Sequence, residues 1–204
     1  MPPKARSSDS RPLSLRERNR LRTRQEMLDA ALEVFAESGY GSATVETIAA
    51  RAGASKVTLY AYFPQGREEL FRELYEQINN ELIETATEIY ATDRRFNVRI
   101  VALTEALMSI AERPSIGRFY SIDDPALDTA LNPVRGHASR FIADLIASDL
   151  AAAQELQLLR TSASPAGIAE LLVGAMRNAL SEVAKGEIAS AEILQAMEAL
   201  VGGL

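Results

Sequence analysis

The sequence predicts an all-α fold in which a small N-terminal three-helix module containing a helix-turn-helix joins a larger helical C-terminal domain. Three observations carry this expectation. Apolar residues recur at i, i+3, i+4 and i+7 along nearly the whole chain, and no stretch shows a convincing period-two alternation. Glycine and proline fall where helices must stop, as at Gly39, Gly53, Pro64 with Gly66, and Pro114. Charge is segregated along the chain, so a basic start precedes an acidic body.

The 204 residues suffice for one large domain or a small module fused to a larger one. A hydrophobic fraction of 47% and a charged fraction of 25% are those of an ordinary globular chain with a core to bury. Cysteine is absent, which excludes disulfides and thiolate metal sites. The start, "MPPKARSSDSRP", lacks the apolar segment of a secretory signal. The longest run without a charged residue, Val57 to Gly66, is far short of the roughly 20 apolar residues that span a bilayer. A cytoplasmic protein without membrane association is therefore expected. The net charge of -6 argues against a polyanionic partner, but its distribution argues for one. Between Met1 and Arg24 stand eight Lys or Arg against two acids, whereas the residues after Arg72 hold 10 basic and 19 acidic groups.

Residues 1–13, rich in proline, serine and scattered charge, read as a disordered basic arm. Ser14 and Glu17 have capping-box spacing, so a first helix starts near Leu15, buries Met27, Leu28, Ala31, Leu32 and Phe35, and ends at Gly39. Thr44 caps a short second helix with Val45, Ile48, Ala49 and Ala52 on its apolar side. Ser55 caps a third helix of two turns, stopped by Pro64 and Gly66. A long fourth helix runs from Arg67 to about Tyr90. Further helices are expected at about 96–112, 126–152, 165–185 and 188–201, with Asp124 and Pro125 opening the second of these and a break near Pro133. The divisions are 1–13 for the arm, 14–66 for the helix-turn-helix domain and 67–204 for the second domain, joined rigidly because the boundary lies at the fourth helix.

On a helical wheel, Leu59 and Phe63 of the third helix share one face, aimed at Ile48 and the first helix. Val57, Thr58 and Ala61 lie opposite, with Tyr60 and Tyr62 on the flanks and Lys56 at the N-terminal end. A helix that enters a major groove needs low bulk where its backbone nears the bases and donors where it passes phosphates. This face meets both demands. The basic arm would follow phosphates or enter an adjacent minor groove, or serve as a solubilising tail.

The stretch from Arg24 to Leu70, with "AALEVFAESGY", "TVETIAARAG" and "SKVTLYAYF", resembles the DNA-binding domain of the tetracycline-repressor (TetR) family. That resemblance implies an all-helical protein with an N-terminal DNA-binding domain and a C-terminal ligand-binding and dimerisation domain. It implies phosphate contacts at Thr44, Ser55, Tyr60 and Tyr62, and groove contacts at Lys56, Val57 and Thr58. This chain departs from the family pattern in having Val57 where glycine is frequent, and "FPQGR", one residue longer, where "Phe-x-Ser-Lys" is frequent. Arg67 then stands in for the usual phosphate-binding lysine.

The C-terminal part holds little catalytic chemistry. His137 is the single histidine, and neither a phosphate loop nor clustered metal ligands accompany it, so neither an enzyme nor a cofactor is expected. Leu103, Leu107 and Ile110 form one stripe, and Phe119, Tyr120, His137, Phe141 and Met176 complete a set that lines an effector pocket or packs as core. The effector expected is small and apolar or weakly polar. Two terminal amphipathic helices present Leu171, Leu172, Ala175 and Ala179, then Ile193, Met197 and Leu200, for pairing across a two-fold axis as a homodimer, or for packing inside a monomer. The leading expectation is a ligand-responsive transcriptional regulator, most simply a repressor released from a palindromic double-stranded DNA operator. The alternative is a helical small-molecule binding or adaptor protein whose helix-turn-helix is scaffold.

Overall fold

The computed structural model describes residues 14–92, 95–127, 131, 134, 136–159 and 161–203. The arm expected over residues 1–13 lies outside them. Among the described residues the chain forms nine helices and no strand: α1 (Leu15–Ser42), α2 (Val45–Arg51), α3 (Lys56–Tyr62), α4 (Arg67–Tyr90), α5 (Phe96–Ala111), α6 (Pro114–Tyr120), α7 (His137–Glu155), α8 (Pro165–Lys185) and α9 (Ser190–Gly202).

Local chemistry accounts for most boundaries. The Ser14 hydroxyl accepts the Glu17 amide, and the Glu17 carboxylate accepts the Ser14 amide at 2.7 Å, which satisfies two free donors at the start of α1. Gly39 breaks α1 with φ 74°, so residues 40–42 form a separate turn. Thr44 and Thr47 cap α2 reciprocally, each amide held by the other's hydroxyl at 3.1 Å. Ser55 caps α3 through the Thr58 amide at 3.0 Å. Within the segment expected as a helix from residue 126 with a break near Pro133, Leu127 and Leu131 are helical, and α7 begins afresh at His137. Gly136 precedes it at φ 77°, a left-handed conformation that no right-handed helix contains. Asp124 accepts the Ala126 amide at 2.9 Å, the bond an N-cap makes two residues ahead of itself, with Pro125 between them. Residues 128–130, 132, 133 and 135 of the expected segment lie outside the described residues. The short α6 lies where the sequence gives no expected helix; Pro114 at its first position preorganises it.

α1, α2 and α3 form a compact unit, and α4 carries the chain into a bundle where α7 lies along α8 and α9 covers α5. One hydrophobic core runs unbroken from Met27 to Val201. At the junction sits an aromatic cluster. Phe71 of α4 lies edge-on to Phe35 at 5.0 Å and to Tyr40 at 5.1 Å, and 4.4 Å from Phe119 of α6. Phe35, Phe71 and Phe119 are essentially fully buried, and each contributes roughly 1.5–3 kcal/mol through burial. The aromatic junction is therefore a major adhesive between the two parts.

α6 reaches this cluster because Gly117 permits it. A Cβ at Gly117 would lie 2.2 Å from the Ala111 carbonyl oxygen and 3.2 Å from the Ala184 Cβ. Farther along the bundle, Arg99 of α5 donates to Asp149 of α7 at 2.7 Å and to the Thr92 carbonyl at 3.0 Å, and its guanidinium lies 5.3 Å from the Tyr90 ring. Burial and the Asp149 carboxylate push the Tyr90 phenol well above its ordinary pKa.

Candidate nucleic-acid interface

α3 is held by its inner face and open on its outer one. Leu59 and the capping residue Phe63 are fully buried, packed in one core with Ile48 of α2 and Met27 and Leu28 of α1. Val57 is 80% exposed, an unusual state for a valine, and Lys56, Thr58 and Ala61 beside it are also exposed. The outer surface of α3 thus presents one branched aliphatic group, one methyl, a hydroxyl and an amine, all on exposed residues. Thr44 and Ser55, at the starts of α2 and α3, are exposed while their hydroxyls hold backbone amides.

The aromatic flanks differ. Tyr60 is 41% exposed, and its ring rests over Gly66, where a Cβ would come within 3.0 Å of Cε1. Gly66 also adopts φ 61°, so the "PQG" turn needs glycine for two reasons. Tyr62 is half-buried and lies beneath the Arg20 guanidinium, 5.8 Å from its ring centre. The Lys56 ammonium pairs with Glu46 of α2, which raises the Lys56 pKa and lowers that of Glu46. Arg67 has a tertiary role that its position in the sequence does not reveal. Its Nη1 donates to the carbonyl oxygens of Tyr40, Gly41 and Ala43 at 3.0–3.3 Å, and its guanidinium stacks 4.4 Å from the Tyr40 ring. It closes the C-terminal end of α1, and only its Nε and Nη2 remain for other acceptors. Arg16, Asn19, Arg20 and Thr23 carry no expected role, yet their i, i+3, i+4, i+7 spacing sets them on one side of α1, facing Ala61 and Tyr62 across a cleft.

Residues 27–74 match the family described as bacterial regulatory proteins, tetR family. That match takes in the end of α1, all of α2 and α3 and the start of α4, so the helix-turn-helix segment is similar to that of the tetR family. Over 94 residues it is 34% identical to the HTH-type transcriptional activator FasR of Mycolicibacterium smegmatis, a match covering 46% of this chain and 42% of that protein. Over 63 residues it is 36% identical to the fatty acid metabolism regulator protein of Bacillus subtilis, covering 31% and 32%. The matches span between 32% and 64% of the curated relatives' lengths. Among solved structures, the transcriptional regulator FadR of Bacillus subtilis in complex with stearoyl-CoA superposes with a TM-score of 0.72 at 16% identity, covering 88% of this chain and 98% of that one. At that identity the likeness shows a shared fold.

In the C-terminal part the residues expected around a pocket do not all meet. Leu103, Leu107, Ile110, Phe119 and Met176 are buried in the common core, and Tyr120 and Phe141 are half-buried against it. His137 stands apart, exposed on the first turn of α7. A polar group that hydropathy could not indicate lies nearby. Asn79 of α4 is buried and accepts the Tyr120 hydroxyl at 2.8 Å, while Tyr75 stacks on Tyr120 at 5.3 Å. Burial pushes the Tyr120 pKa well above its ordinary value. The terminal stripes also divide. Leu172, Ala179 and Met197 turn into the chain's own core, a correction to the expected interface, whereas Leu171, Ala175 and Leu200 are exposed and Ile193 is half-buried. Among the described residues no helix is long and apolar enough to cross a membrane, and no three His, Asp or Glu gather as a metal site.

Proposed function

We propose that the protein is a ligand-responsive transcriptional regulator of the TetR family that binds double-stranded DNA as a homodimer in the cytoplasm. The observation that carries the reading is the open outer face of α3, where Val57 is 80% exposed while Leu59 and Phe63 clamp the helix from behind. Lys56, Val57 and Thr58 enter the major groove, with Val57 against a thymine methyl and Ala61 allowing close approach. Thr44, Ser55, Tyr60 and Tyr62 meet phosphates, and Arg67 adds a contact through its free Nη2. Two such helices about 34–36 Å apart fit successive major grooves of a palindrome. Leu171, Ala175 and Leu200 are the exposed apolar positions of α8 and α9 on which two chains would pair.

A small apolar or weakly polar effector seated among the helices of the C-terminal domain shifts the dimer away from the operator spacing. A 100-fold loss of affinity needs about 2.7 kcal/mol of differential binding. Repression is the simplest output, although the FasR relative carries the name of an activator. The fold shared with a stearoyl-CoA complex makes a long acyl chain, the apolar part of that ligand, the first effector group to try.

Selection from a random duplex pool with the purified protein tests the reading. The expected result is an inverted repeat, bound more weakly when uracil replaces the contacted thymine. Failure to enrich any sequence at low salt would overturn it. Stearoyl-CoA added to the protein–operator complex is expected to release the DNA.

A further inference from the structure

Most of the described cations between residues 14 and 72 are engaged. Arg22 pairs with Glu26, Arg24 with Glu73, Arg51 with Glu33 and Glu37, Lys56 with Glu46 and Arg72 with Glu68, while Arg67 is held by carbonyl oxygens. Three are not. Arg16, Arg18 and Arg20, on the first two turns of α1, are exposed and make no ion pair among the described residues. Glu17, the acid that lies among them, is taken up by the Ser14 amide and hydroxyl. Among the described residues of the module, the uncompensated positive charge therefore resides on α1 and not on α3.

Two of these arginines border a built cleft. Leu15, Arg16, Asn19, Arg20 and Thr23 form one wall, and Ala61 and Tyr62 of α3 the other, around about 760 Å³. Ala61 belongs also to the exposed stripe it shares with Val57, so the outer face of α3 leads directly into this cleft. The walls carry two guanidinium groups, an amide and two hydroxyls, a set suited to phosphodiester oxygens. Tyr62 holds the Arg20 head in place from below, which reduces the entropy lost when Arg20 takes a ligand.

We infer that the cleft between the first turns of α1 and the end of α3 is a phosphate-backbone clamp, in which Arg16 and Arg20 grip the DNA strand flanking the base contacts of α3. The site rests on the DNA-binding reading above and adds to it a source of affinity that is indifferent to base sequence. Arg18 does not line the cleft and takes no part.

The test compares two charge-matched variants, R16Q/R20Q and R18Q/R22Q, with the wild-type full chain, by measuring duplex affinity against salt on the selected operator and on an unrelated duplex. Each phosphate contact contributes about 0.9 to the slope of log K against log salt. R16Q/R20Q is expected to reduce that slope by nearly 2 on both duplexes. Its operator affinity should fall at least tenfold, with the operator preference nearly unchanged. R18Q/R22Q should change the slope by much less, and R16K/R20K should retain it, since charge and not shape is at stake. Equal slopes for the two glutamine pairs, or a wild-type slope in R16Q/R20Q, overturn the clamp while leaving DNA binding intact. Absence of any wild-type DNA binding overturns the underlying reading and the clamp with it.

Discussion

Replacing Gly117 by alanine gives a sign that distinguishes close packing from mere helix propensity. In an unobstructed helix the change stabilises by roughly 0.5–1 kcal/mol, because glycine gives up more backbone entropy on folding. At this position the added methyl would stand 2.2 Å from the Ala111 carbonyl oxygen, against 3.4–4 Å for ordinary contact. α6 must therefore retreat by about 1 Å from a well-packed neighbour, and overpacking of that kind costs about 1–3 kcal/mol. The retreat also draws Phe119 from Phe71, whose rings lie 4.4 Å apart. A net loss of about 2 kcal/mol is expected, or roughly 4–8 °C in Tm for a chain of this size. Equilibrium urea unfolding and thermal melts at fixed protein concentration measure it. Gly167→Ala is the control, since its new methyl meets only the Ser164 Cβ at 3.8 Å. It should be neutral or stabilising. A Gly117→Ala protein as stable as the wild type would refute the close approach of α6 to α5.

Further outcomes follow from the same geometry. Asp149→Ala leaves the largely buried Arg99 charge without its partner and should cost about 3 kcal/mol, whereas R99M/D149L should recover most of the loss; urea midpoints decide, and an unchanged single variant counts against the pair. The raised pKa values of Tyr90 and Tyr120 contribute stability that is fully present below the ordinary phenol value of about 10 and is lost as pH rises above it. Near-ultraviolet titration should show two tyrosines ionising only as the chain unfolds, and complete ionisation in the folded protein would contradict their burial. Glu46→Gln releases Lys56 and removes a negative charge beside α3, so operator affinity should rise several-fold with a steeper salt dependence. An unaltered salt slope would place Lys56 outside the interface.

The caps were readable from short spacings because they are local. Ser14 with Glu17, Thr44 and Ser55 each satisfy amides within three residues of themselves. Gly39 and Gly66 were readable for the same reason. α6 was not, since seven residues are too few to display a helical period. Gly136 ends the regular pattern before α7 through a left-handed backbone that hydropathy does not register. The task of Arg67 depends on the end of α1, which is close only after folding, so its neighbours in the chain could suggest nothing but an available cation. α8 and α9 are apolar on more than one side, and a wheel cannot tell which side meets the chain's own core. Burial separates Leu172 and Met197 from Leu171 and Leu200. The paired state of Lys56 and the open state of Arg16 and Arg20 are tertiary facts of the same kind.

The grip of Arg67 on three carbonyl oxygens has a mechanical meaning. The first turn of α4 is riveted to the last turn of α1, and the Tyr40 ring closes the joint from the side. Tilting α4 as a rigid rod cannot leave the helix-turn-helix behind; the head travels with the shaft. Any signal arriving along α4 would thus be delivered as a reorientation of the whole reading head, while its internal shape stays the same.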